Sequence, residues 1–146
     1  MTIEAQAVEQ PTEPRRWTNL DVIAYILARA GVSPLTSDRW KLQRMFQELK
    51  EKATGHETEL LADLVFATRD VIPFSRELEN ALAYLGLAGL VITENPTFRK
   101  LRIDIDQAAE VTREAHEIFD EDDLFALDAL ASRFAGLARA PEHGVQ

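Results

Sequence analysis

His116, Asp120 and Asp123 lie close together in the sequence, with Glu114 and Glu117 beside them. Oxygen-rich clusters of this kind can hold Mg²⁺ or Ca²⁺. Their spacing matches neither the calcium-loop pattern nor the His-Glu-x-x-His zinc helix. Acids beside a helix start are explained by capping, so no metal is expected there. His56 follows Gly55 in a loop and His143 stands in the tail, each without a visible ligand set. Nucleophile chemistry has no better footing. There is no Gly-x-Ser-x-Gly elbow, no Gly-rich phosphate loop and no dinucleotide fingerprint. Ser75 reads as a helix cap and Ser132 as a helical surface residue. The expectation is a non-enzymatic chain with no catalytic residue and no cofactor.

Recognition chemistry is better represented. Net charge is −9, and it is uneven. Residues 1–102 hold 13 Lys+Arg against 14 Asp+Glu, whereas residues 103–146 hold 3 against 11. The C-terminal part therefore carries almost all of the excess. Within it Glu117, Asp120, Glu121, Asp122 and Asp123 form an acidic edge suited to a basic protein partner. The plainer explanation is a solvated helix surface. The opposite sign is available at Arg99, Lys100 and Arg102, which could touch phosphate. The helix before them offers Arg76, Glu77, Glu79 and Asn80, and two carboxylates would face an anionic groove. Exposed strands also carry cations simply to block edge pairing. Protein binding is therefore ranked ahead of DNA binding.

The elements that would position these residues are readable from periodicity. Residues 1–16 look disordered, and Arg15-Arg16-Trp17 ends that arm, with Trp17 expected to seal the first helix onto the core. That helix is predicted over 19–30, with Thr18 and Asp21 as a capping box and Gly31 as its stop. Val32-Ser33-Pro34 reads as linker. A second helix is predicted over 38–53, capped by Ser37 or Thr36, with Leu42, Met45, Phe46 and Leu49 as its stripe. A third is predicted over 57–68, burying Leu60, Leu61, Leu64 and Val65. Ser75 caps a fourth, whose stripe is Leu78, Leu82 and Leu85. Strands follow at 90–93 and 98–105, joined by a Glu94-Asn95-Pro96 turn. Two helices close the chain, at 107–119 with Asp106 as cap and at 122–138. Leu124, Leu127, Leu130, Phe134 and Leu137 suit a helix–helix interface, first within the chain and alternatively between two copies in a homodimer.

The totals set the frame. A chain of 146 residues, 46% hydrophobic, fits one domain with a core. The expected layout is an arm at 1–16, one domain at 17–140 and a tail at 141–146. Cysteine is absent, which removes a disulfide framework and thiolate zinc sites. No apolar run is long enough to span a bilayer, and the N-terminus lacks a signal-peptide pattern, so a cytoplasmic location with no membrane partner is expected.

Lys41-Leu42-Gln43-Arg44-Met45-Phe46 resembles the Lys-Leu-Gln-Lys-Leu-hydrophobic helix of the Panacea domain, the phage-associated or SocA-like family. Pro73-Phe74-Ser75, then Leu78, Leu82, Leu85 and Gly89-Leu90-Val91, resembles its Pro-aromatic-Ser segment and Gly-Leu-Ile ending. The likeness covers about residues 36–105. Ile72 stands where the family usually has Gly. The resemblance implies a helical, winged-helix-like protein-interaction module, of the kind that serves as an antitoxin or proteolytic adaptor, and it carries over no catalytic residue.

The expected fold is mainly α: a winged-helix-like body with a small β-hairpin and two C-terminal helices. The expected function is a regulatory or adaptor module binding a protein partner, antitoxin-like under the Panacea resemblance. The alternative is a winged-helix transcription regulator.

Overall fold

Helix α1, Asn19–Ala30, begins where the sequence pattern places it. Thr18 accepts the Asp21 N–H through its hydroxyl, and Asp21 accepts the Thr18 N–H at 2.9 Å. Gly31 ends the helix in the left-handed region at φ 68°, a conformation that favours glycine. Residues Val22 to Leu27 are all buried, so α1 is covered on every side and packs chiefly on the two C-terminal helices. The computed structural model describes residues 17–67, 74–93 and 100–139. The disordered arm, the tail and the Glu94-Asn95-Pro96 turn of the sequence reading lie outside them.

The segment after α1 is more than linker. Leu35–Thr36 forms strand β1, which pairs antiparallel with Leu101 and Lys100. Two residues are too few for a period to show, yet Leu35 is buried by the pairing. Helix α2, Arg39–Glu51, is capped by Asp38, which accepts the N–H groups of Trp40 and Lys41. Thr36, an expected cap, instead accepts the Asp38 N–H. Leu42, Phe46 and Leu49 are buried as expected, and Gln43 joins them.

Helix α3, His56–Leu60, is only five residues long, where a helix to residue 68 was expected. Leu60, Leu61 and Leu64 are all fully buried. Beyond the helix, Lys50 donates its ammonium to the Leu64 carbonyl. Ala67 and Phe74 then pair as a bridge across 68–73. This turned path leaves Val65 exposed rather than buried.

Helix α4, Arg76–Leu87, starts at Ser75, whose hydroxyl accepts the Leu78 N–H. It buries Leu78, Ala81 and Leu85. Gly89, at φ 89°, turns the chain into strand β2, Val91–Thr93, and strand β3, Lys100–Ile103, returns. The register sets Val91 opposite Ile103 and Thr93 opposite Leu101. The sheet order is β1-β3-β2. Helix, strand, two helices and a returning hairpin, with the first strand against the last, make a winged-helix-like body with α3 added between α2 and α4.

Helix α5, Ile105–Ile118, begins two residues before the expected start. Asp104, not Asp106, accepts the Gln107 N–H as its cap. Ile105, expected as the last residue of the second strand, is therefore the first helical residue and 80% exposed. Helix α6, Glu121–Arg139, buries Ala126, Leu127, Leu130, Ala131, Phe134 and Ala135. Phe134 meets Phe46 of α2 with ring centroids 5.0 Å apart, and Trp17 meets Phe119 at 5.9 Å. Trp17 thus seals α1, and the apolar stripe of α6 is covered within the chain. These helices and strands share one hydrophobic cluster. Among the described residues no helix is long and apolar enough to cross a membrane.

Candidate functional site

The acidic edge is built at the junction of α5 and α6. Asp120 precedes α6 and accepts the Asp123 N–H at 2.8 Å, while Asp123 accepts the Asp120 N–H at 3.3 Å. This reciprocal pair satisfies two N–H groups that the first turn of a helix leaves without intrahelical partners. It also sorts the expected partner-binding acids. Glu117, Asp120, Glu121 and Asp122 are exposed. Asp123 is only 7% exposed and turns inward, so it does not belong to the outer acidic surface. One turn along α6, Phe125 is 80% exposed. It lies three residues after Asp122 and four after Glu121, which sets all three on one helix face.

What holds Asp123 inward comes from a distant part of the chain. His56, the first residue of α3, meets Asp123 Oδ1 through Nε2. Its Nδ1 lies 3.5 Å from Glu59 Oε1. The bond to Asp123 is the main reason the imidazole pKa is raised above 6.5, with partial burial opposing it. One donor atom each from His56, Asp120 and Asp123 lies within 4.8 Å of the others. His56 thus occupies the place that spacing along the chain suggests for His116, which is exposed on α5. Spacing along the chain could not reveal this, because α3 and the start of α6 are joined only by the fold.

The same interface contains a second polar contact. Arg133 Nη2 donates to both oxygens of Glu57, at 3.0 and 3.1 Å. Glu57 is buried. Arg133 Nη1 is also buried and has no hydrogen-bond partner in the described structure. Two polar pairs, His56 with Asp123 and Glu57 with Arg133, therefore fasten the short α3 to α6.

The alternative, cationic site is only partly visible. Lys100 is exposed on β3, and Arg102, beside it, lies 3.6 Å from Asp104. Arg99 is outside the described residues. Helix α4, which stands where a winged-helix protein places its recognition helix, presents Arg76, Glu77 and Asn80 to solvent. Glu79 is paired with Arg39 at 2.8 Å. Glu77 accepts from its own backbone N–H, from the Ser75 hydroxyl and from the Val65 N–H, which holds its pKa below the usual value and keeps it anionic. Further along α4, Tyr84 is 57% exposed and Leu87 is 90% exposed. Beside the start of α4, Trp40 and Phe74 lie 6.1 Å apart with the Arg39 guanidinium near both rings.

No family model, curated protein or solved structure matches the chain.

Proposed function

We propose that this chain is a non-enzymatic adaptor or regulatory module that binds a protein partner at the start of α6. The observation that carries this reading is Phe125, a phenyl group 80% exposed one turn from the exposed carboxylates of Glu121 and Asp122. An exposed aromatic bordered by charged residues is the usual composition of a binding hot spot with its polar rim. Glu121 and Asp122 flank the ring on the same face, and Glu117 and Asp120 extend the acidic surface at the preceding junction. The complementary partner offers an apolar pocket bordered by Lys or Arg. The acids speed and orient the encounter, and Phe125 supplies the buried contact. Under the Panacea resemblance the partner is a toxin or a proteolytic substrate.

Affinity capture from native lysate at low salt, with nuclease, compares wild type with Phe125→Ala and with Asp122→Lys. A stoichiometric protein retained by wild type and lost by both variants supports the reading. Equal retention by Phe125→Ala, with the variant folded, would sink it. Both residues are exposed, so Phe125→Ala should change stability by no more than about 0.5 kcal/mol, and Asp122→Lys, which puts a cation at the start of α6, by about 1 kcal/mol.

One observation favours a second reading, a transcription regulator. What supports it is that Lys100 and Arg102 lie on β3 of the returning hairpin, beside Arg99 in sequence. Replacing all three with Ala should then abolish retention of duplex DNA. Absence of DNA retention by wild type at low salt removes this reading. The acidic helix α4 stands against it, since Glu77 remains ionised at the face that would enter the groove.

A further inference from the structure

We propose that His56, Asp120 and Asp123 form a binding site for one divalent transition cation, with zinc the best match, which fastens α3 to the start of α6. The three residues come from two elements far apart in sequence, and one donor atom of each falls within 4.8 Å of the others. Helix capping accounts for only part of this arrangement. The cap uses Oδ1 of Asp120 and Oδ2 of Asp123. It leaves Oδ2 of Asp120 and Oδ1 of Asp123 outside the cap, the latter bonded to His56, which the cap does not require.

The imidazole faces the carboxylates through Nε2, which meets Asp123 Oδ1 directly, so a cation would take the place of the proton in that bond. Nε2 is the nitrogen at the carboxylates, while Nδ1 stands 3.5 Å from Glu59. A carboxylate near the other ring nitrogen would hold the proton there once Nε2 ligates, the usual arrangement behind a metal-bound histidine. The local field also favours a cation. The helix end contributes roughly half a positive charge. Asp120, Glu121, Asp122 and Asp123 all stand at that end, with Glu59 close by, and outweigh it.

The donor set selects the class of ion. One imidazole nitrogen and two carboxylates, without sulfur, suit zinc or manganese better than a soft cation. The nitrogen disfavours Mg²⁺ and Ca²⁺, which take oxygen ligands. Asp123 is buried and Asp120 exposed, so the site is anchored on one side and open to water on the other. Three protein ligands leave a coordination position for that water. Zinc binding is measured on the chain alone, so its outcome is read separately from that of partner capture.

The test is calorimetric titration of zinc chloride into the full chain without a histidine tag. The variants are His56→Gln, Asp120→Asn, Glu59→Gln and His116→Gln. Asn at position 120 keeps an oxygen for the cap while losing the charge, so this variant is expected to fold whatever His56→Gln does. The expected result is saturable 1:1 binding, weakened more than about tenfold by His56→Gln and Asp120→Asn. Loss of the outer carboxylate in Glu59→Gln should weaken it by about tenfold, and His116→Gln should leave it unchanged. Zinc should also raise the Tm of wild type and not of His56→Gln. No saturable binding would overturn the proposal. So would binding that His56→Gln and Asp120→Asn leave intact, which would identify adventitious surface sites only.

Discussion

Replacing Gln43 with Met should destabilise the fold by about 2–3 kcal/mol, although the two side chains are close in volume. Gln43 is fully buried and reads both backbone groups of Ser75: its Oε1 accepts the Ser75 N–H at 2.7 Å and its Nε2 donates to the Ser75 carbonyl at 3.1 Å. Ser75 is itself fully buried, so water cannot replace the amide. Its carbonyl keeps the helical bond from the Glu79 N–H at 3.2 Å, but its N–H would have no partner. A buried donor left unsatisfied costs about 1–3 kcal/mol, and the lost bond to the carbonyl adds about 0.5–1.5 kcal/mol. The apolar thioether offsets a small part. Urea denaturation followed by far-UV circular dichroism gives the difference, provided that wild type and variant share the same slope. The matching fall in Tm is about 5–10 °C. Amide exchange at Ser75 should lose protection at the same time. A loss below about 0.5 kcal/mol would refute the reasoning, because it would mean that the Ser75 amide finds another partner. This pair fixes the start of α4 against α2 and so sets how α4 is presented.

Tyr25 donates its hydroxyl to Asp128 at 2.6 Å, and burial together with that bond pushes its pKa up to about 12. A Tyr84→Phe variant isolates it, since the chain has two tyrosines; absorbance at 295 nm should then show no phenolate step near pH 10. Because the folded pKa is raised above the unfolded value of about 10, the stability Tyr25 contributes is complete below pH 10. It is lost as pH rises through about 12. Glu57→Ala should cost about 1–2 kcal/mol in urea titration, less than for a fully buried pair, because the Arg133 side chain is 34% exposed. Gly89→Ala should cost about 1–2 kcal/mol by the same assay: a Cβ would meet only ordinary contact with Gln107 at 4.0 Å, so the penalty is the left-handed backbone at φ 89°.

Much of the fold is legible in the sequence because local chemistry specifies it. The Thr18–Asp21 box, the Gly31 stop, the Ser75 cap and the stripes of α2, α4 and α6 are each fixed within a few residues, and each forms as read. Boundaries fail where competing caps stand close together. Asp38 displaced Ser37 and Thr36, and Asp104 displaced Asp106, because a carboxylate two or three residues from an unpaired N–H suffices at either place. Elements also fail where they exist only by pairing. Strand β1 has two residues and no period of its own, and it becomes a strand because Leu101 and Lys100 lie beside it. The helix expected over 57–68 ends at Leu60, and buried Leu61 and Leu64 continue along a turned path.

The candidate site divides in the same way. Sequence alone determines the charge at the start of α6, since consecutive Asp and Glu residues ahead of an apolar stripe make both the helix start and the acidic edge. Only the tertiary structure decides which of those acids remain in water. Asp123 turns inward because α3, brought against α6 by Leu60 and its neighbours, delivers His56 to it and Glu57 to Arg133. Such side-chain pairs depend on distances between elements that no local spacing records, whereas a cap or a stripe depends only on the few residues that form it.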